Sequence, residues 1–143
     1  MLSKACEYAI RSVIYIASKT MNGEKVGIKE IAVHVGSPEA FTGKILQQLA
    51  KDKIIESSKG PTGGFYLSDH QLETISLADI ITSIDGDKIF NSCVLGLQDC
   101  SEMNPCPVHS TYRDIRGKVN AMFYDSKIKN LSLEIMNGKG FLI

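Results

Sequence analysis

Apolar residues recur at a spacing of three to four over residues 3–20, where Cys6, Ala9, Ile10, Val13, Ile14 and Ala17 fall on one side of a helix. Asn22 and Gly23 end that pattern. The same period returns at Ile28, Ile31, Ala32 and Val35 and is broken by Gly36. Ser37, Pro38 and Glu39 then supply an N-cap hydroxyl, a proline at the first helical position and an acid in the first turn. They predict a third helix to about Lys51, with Phe41, Ile45, Leu46 and Leu49 inward and Thr42, Lys44, Gln47, Gln48 and Lys51 outward. Two β-prone runs follow, at residues 54–58 and 65–68, joined by Lys59-Gly60-Pro61-Thr62-Gly63-Gly64, a hairpin tip. Two helices around a tight turn, followed by a hairpin, are the order of a winged helix-turn-helix. Beyond it, Ser76 to Asp79 reads as a capped helix start, with Leu77, Ile80, Ile81 and Ile84 periodic and Asp85-Gly86 as the stop. Residues 91–107 show no period. Pro107 opens a long helix to about Lys127 with a single apolar stripe of Tyr112, Ile115, Val119, Met122 and Phe123. The predicted fold class is mainly α with one small β-hairpin. Residues 1–87 form a winged helix-turn-helix domain, 88–107 a cysteine-bearing loop, and 108–143 a long dimerisation helix and tail.

Composition narrows what such a chain does. Its 143 residues, 43% hydrophobic and 22% charged, suit one globular domain with a helical extension. No apolar run approaches a membrane span, so no membrane partner is expected. Glu7 and Arg11 interrupt the N-terminal apolar residues, which argues against a signal peptide and for a reducing cytoplasm. Sixteen Lys and Arg balance sixteen Asp and Glu, so any binding to nucleic acid depends on local placement. Residues 1–70 carry nine basic and seven acidic side chains, and residues 71–143 seven and nine, a bias too small to decide a partner. No nucleophile–base arrangement, phosphate loop or zinc-protease motif stands out, so the chain is not expected to be an enzyme.

Four segments occurring in order carry a family resemblance: Ile28-Lys29-Glu30-Ile31-Ala32; Phe41-Thr42-Gly43-Lys44-Ile45-Leu46-Gln47-Gln48-Leu49; Lys59-Gly60-Pro61-Thr62-Gly63-Gly64-Phe65-Tyr66-Leu67; and Ile75-Ser76-Leu77-Ala78-Asp79-Ile80-Ile81. Together they resemble the Rrf-two (BadM) family of bacterial winged-helix transcription regulators. The resemblance runs from Leu2 to about Leu131. It implies a homodimer on a double-stranded DNA operator, with recognition helices in successive major grooves and wings in adjacent minor grooves. The residues themselves suit that role. Gln47 and Gln48 can pair bidentately with adenine, and Lys44 can reach guanine or phosphate. Thr42 can meet phosphate or a thymine methyl, and Lys59 can enter a narrow minor groove. Ser37, Pro38, Glu39, Lys51, Gly60, Thr62 and Gly63 complete the expected interface. Lys59 stands where family wings usually carry arginine, and Gly43 where the helix often has glutamate. No arginine lies between Arg11 and Arg113. Operator specificity is therefore expected to differ from that of relatives.

Three of the four cysteines lie in one stretch, spaced C-x6-C-x5-C with a histidine three positions on: Cys93, Cys100, Cys106 and His109. This is not a zinc-finger spacing. Three thiolates on one loop can converge on a soft metal cluster. A metal-free thiol or persulfide switch, a structural metal site, or packing as small hydrophobes are the other readings. Asp99 and Glu102 beside Cys100 disfavour thiolate in a metal-free loop. The resemblance implies iron–sulfur ligation (2Fe-2S or 4Fe-4S) by Cys93, Cys100 and Cys106. It offers His109 or the partner protomer's copy of Glu7 as the fourth ligand. Cys6, on the apolar face of the first helix, is expected in the core, and His34 and His70 on the surface. The expected function is a transcription regulator, in repressor mode, whose operator affinity follows the cluster or thiol state of this loop. A winged-helix protein-interaction module that no longer binds DNA is the alternative.

Overall fold

The computed structural model describes residues 1–142. Its spine is α1 (Lys4–Met21), which starts where the Ser3 side chain accepts the Cys6 N–H and which buries Cys6, Ala9, Val13, Ile14, Ile16 and Ala17. The α2 helix (Ile28–Val35) ends at Gly36 with φ 69°, and the next amide, of Ser37, returns to Ala32 O at 3.0 Å. That left-handed turn suits glycine, and it aims α3 (Glu39–Lys51) across α2.

The start of α3 departs from expectation. Its cap position is Pro38, with no side-chain cap bond, and the Ser37 hydroxyl is buried without a partner among the described residues. Its buried stripe is Thr42, Ile45, Leu46 and Leu49, the i, i+3, i+4, i+7 set. Phe41 lies one position off that stripe. It is 38% exposed and packs edge-on against Tyr8, with ring centroids 5.9 Å apart. Helical geometry thus outranks side-chain polarity in choosing between Phe41 and Thr42.

Strands β1 (Glu56–Ser58) and β2 (Gly64–Tyr66) pair antiparallel with Ser57 opposite Phe65. Val26 bridges to β2 outside this ladder, exchanging bonds of 3.0 and 2.8 Å with Phe65. The tip depends on Gly63, where an added Cβ would sit 2.3 Å from Ser58 O.

The next helix, α4 (Asp69–Thr74), was not expected. A capping box of Ser68 and Gln71 starts it, and the Gln71 amide donates to Lys53 O at 2.9 Å. Ser76 and Asp79 form a second box at the head of α5 (Leu77–Asp85). One further turn, α6 (Lys88–Asn91), leads into the cysteine loop. The long helix, α7 (His109–Asp125), ends slightly before the expected point. The chain there crosses residues 75–77, with Leu77 N–H to Ser126 O at 3.0 Å and Ile128 N–H to Ile75 O at 2.9 Å. The final helix, α8 (Ile128–Met136), returns to α1, where the buried Ser132 hydroxyl donates to Ile14 O at 3.2 Å.

The main core lies between α1, α2, α3 and α8. A second cluster of Cys6, Ala78, Ile81, Phe90 and Phe123 joins α1 and α5 to the foot of α7. Further along α7, Ile115 and Met122 are 53% and 51% exposed. Among the described residues, no helix is long and apolar enough to cross a membrane.

Candidate functional site

The α2–Gly36–α3 turn and the wing both carry exposed polar side chains. Lys44, Gln47, Gln48 and Lys51 are exposed along α3, with Pro38 and Glu39 exposed at its start. Thr42 is removed from this set. It is 1% exposed, and its hydroxyl donates to Pro38 O at 3.0 Å, so it closes the first turn and faces inward. Ser37 is likewise buried. Lys59, Gly60 and Thr62 are exposed at the wing, and Gly63 is half-buried.

The structure adds residues that sequence reasoning passed over. The Lys25 ammonium donates to the Ser58 hydroxyl at 3.1 Å and lies 4.8 Å from the Tyr66 ring centre, placing a cation at the base of the wing. Its sequence signal was only a charged residue in a turn. At the far end of α3, the Gln48 amide nitrogen donates to Asp52 Oδ2 at 2.7 Å, and the Ser83 hydroxyl from α5 donates to the same oxygen at 2.6 Å. The Ser83 bond and then the Gln48 bond hold the Asp52 carboxyl below its ordinary range.

The cysteine loop runs from the end of α6 to the head of α7. It draws its donors into two pairs. Cys93 Sγ lies 3.9 Å from Cys106 Sγ, and Cys100 Sγ lies 3.5 Å from His109 Nδ1. His109 is 7% exposed, and its Nε2 is buried without a partner among the described residues. The loop is tied down by Arg116, whose guanidinium donates to Asn91 O at 3.1 Å and Ser92 O at 3.0 Å. Asn120 also donates to Phe90 O at 2.9 Å. Glu102 is engaged by Arg113.

The Cys93 thiol is lowered from its ordinary value. Backbone N–H donation from Leu95 is the main cause, opposed by burial and aided by Leu97, Cys106 and the charge of Arg116. Fixed amides and an arginine thus supply a positive environment at Cys93. Cys6 behaves oppositely. Burial, and then the nearby charge of Asp85, push it up to about 12 in the second core cluster. His34 and His70 are exposed, His34 stacking on Tyr15 at 3.8 Å. Glu7 lies on the outer side of α1, paired with Lys4 at 3.1 Å.

Among the described residues, no three Cys, His, Asp or Glu side chains close around one point. Three thiols and an imidazole in two pairs, with an unsatisfied His109 nitrogen and amides directed at sulfur, do suit a polynuclear iron–sulfur group. The neighbouring surface is apolar, with Val94, Leu95, Leu97 and Met103 exposed.

Comparisons with known proteins agree with this architecture. The family model described as "Rrf2: Iron-dependent Transcriptional regulator" matches residues 2–133. A protein of Aquifex aeolicus (strain VF5) named for HTH-type transcriptional regulation is 31% identical over 134 residues, covering 92% of this chain and 90% of its own. Among solved structures, CymR (YrzC), the global cysteine regulator of B. subtilis, superposes with a TM-score of 0.77 at 20% identity, covering 93% of this chain and 96% of its own. T. potens IscR gives a TM-score of 0.75 at 15% identity, covering 100% and 93%. A winged helix-turn-helix with an exposed polar α3, matched by the family model over nearly its whole length, is a transcriptional regulator rather than an enzyme, and this chain belongs to the Rrf2 family.

Proposed function

We propose that this protein is a homodimeric repressor that binds a double-stranded DNA operator and reports the state of an iron–sulfur cluster held by Cys93, Cys100, Cys106 and His109. The observation that carries the reading is the pairing of Cys93 with Cys106 and of Cys100 with His109, whose buried Nε2 has no partner among the described residues. The cluster would supply a redox-active, oxidant-sensitive centre. The chain's own residues do the rest. The α7 helix fixes His109, Arg116 anchors the segment before Cys93, and the exposed face of α7 meets the second protomer. A shift of the loop against α7 then changes how far apart two α3 helices stand, and so the fit to two half-sites. Glu7 of the second protomer is the rival to His109 as fourth ligand. Lys44, Gln47, Gln48 and Lys51 on α3, with Pro38 and Glu39 at its start, meet the major groove. Lys59, Gly60, Thr62 and Gly63 carry the wing into the minor groove. The free thiols suit a reducing cytoplasm.

The 3.9 Å separation of the Cys93 and Cys106 sulfurs favours a second reading, a metal-free thiol switch. Anaerobic purification with absorption spectroscopy and iron and sulfide analysis decides between them. The first reading expects iron and sulfide in equal amounts, lost in Cys106→Ala. Anaerobic protein free of iron, in which added peroxide oxidises Cys93 and Cys106 to a disulfide while being reduced to water, would favour the second.

A further inference from the structure

We propose that Asp52, held in place by Ser83, fixes the facing of the Gln48 amide, so that the DNA-reading helix presents a hydrogen-bond acceptor to the operator at that position. The inference rests on the reading that α3 enters the major groove. Asp52 is an unusual choice on electrostatic grounds. It is the C-cap of α3, where the helix dipole already concentrates negative charge and disfavours a carboxylate. Two donors offset that penalty, and both converge on the same oxygen, Oδ2: Ser83 at 2.6 Å and the Gln48 amide nitrogen at 2.7 Å. Ser83 belongs to α5, which packs on α3, so the carboxylate is braced from outside its own helix.

The consequence lies in the amide. A free glutamine side chain can turn over and offer either its oxygen or its nitrogen to a base edge. With Nε2 committed to the carboxylate, the outward group is Oε1, which no donor among the described residues occupies. An acceptor in the major groove is matched by an exocyclic amine, N6 of adenine or N4 of cytosine. It is mismatched with the oxygen of guanine or thymine. The second hydrogen on Nε2 remains available for adenine N7, so adenine and cytosine share the recognised chemistry and selection separates them. Asp52 is thus a positioning residue, acting on the base through Gln48.

The test is selection of operator sequences from a random duplex library by the full-length chain, prepared anaerobically. Wild type and the variants Q48A, D52A, D52N and S83A are then measured on the selected duplex with each base substituted in turn. Wild type is expected to prefer an amino-bearing base at one position per half-site by about fivefold, the scale of one hydrogen bond. D52A and Q48A should reduce that preference below about twofold, with S83A in between. D52N keeps an acceptor oxygen and should keep the preference, although it has lost the same charge as D52A. Both Asp52 variants should bind non-specific DNA more tightly than wild type, because a repulsive carboxylate is gone. A variant damaged in its fold would instead weaken on every sequence, and S83A, outside α3, then carries the test. The clamp is overturned if D52A and S83A keep the wild-type preference at every position, or if D52N loses it as fully as D52A. If wild type enriches no sequence at all, the DNA-binding reading of α3 falls, and the clamp with it.

Discussion

Gly43 stands inside α3 with room for a side chain, since an added Cβ would meet only Ile28 Cδ1, at 4.0 Å. Gly43→Ala is therefore expected to raise unfolding free energy by up to about 1 kcal/mol in urea titration, the propensity difference in a helix interior. Cys6 gives a prediction in pH. The folded protein holds its thiol up to about 12 against an ordinary 9.0, so between those values the unfolded chain loses a proton that the folded chain keeps. Stability from this group is complete below pH 9 and declines as pH rises towards 12, by up to about 1.4 kcal/mol per pH unit. Denaturant titrations across that range should show a shallower decline in Cys6→Ala. Single residues were unevenly legible in the sequence. Cys6 was separable from the other cysteines because it sits on an apolar stripe, and burial in the core agrees. Thr42 and Phe41 exchange sides relative to expectation because the i, i+3, i+4 geometry, not polarity, sets the buried stripe of α3. Asp52 and Ser83 gave no signal, since their contact joins residues 31 apart.

Caps explain which elements the pattern revealed. The α5 start was readable from Ser76 and Asp79, and Ser76→Ala is expected to lower stability by about 1 kcal/mol by thermal or urea unfolding. The equivalent box of Ser68 and Gln71 was present but stood before too short an apolar run to be recognised as α4. The α8 helix was missed for another reason. The chain leaves α7 at Ser126 through backbone bonds to residues 75–77, and nothing local announces a second helix so soon after the first. The hairpin was announced by its glycines and proline, although its strands cover Glu56–Ser58 and Gly64–Tyr66 rather than 54–58 and 65–68, and the Val26 bridge gave no signal. Gly63→Ala, which would press a Cβ to 2.3 Å from Ser58 O, is expected to leave the helical core intact by circular dichroism. It should weaken operator binding about tenfold, the equivalent of roughly 1.4 kcal/mol of lost contacts.

At the scale of the whole molecule, zero net charge and an exposed apolar α7 together shape the expected behaviour. A monomer without bulk positive charge has a small surface with which to hold DNA, and two linked copies multiply it. Replacing both Ile115 and Met122 by Asp is expected to give a monomer in sedimentation and to weaken operator binding by about a hundredfold or more. Family and fold were legible from ordered motifs. The pairing of donors in the cysteine loop was not, because residues 91–107 carry no period and their placement depends on Arg116 and His109 of α7. The claim that joins loop to DNA is tested most directly by operator affinity. Binding of one selected duplex is measured anaerobically on the same preparation before and after chelation of the iron that the proposed cluster would contain. A change of about tenfold or more is expected, within the usual range of allosteric coupling, and it should disappear in Cys106→Ala. Equal affinity before and after chelation would contradict that claim.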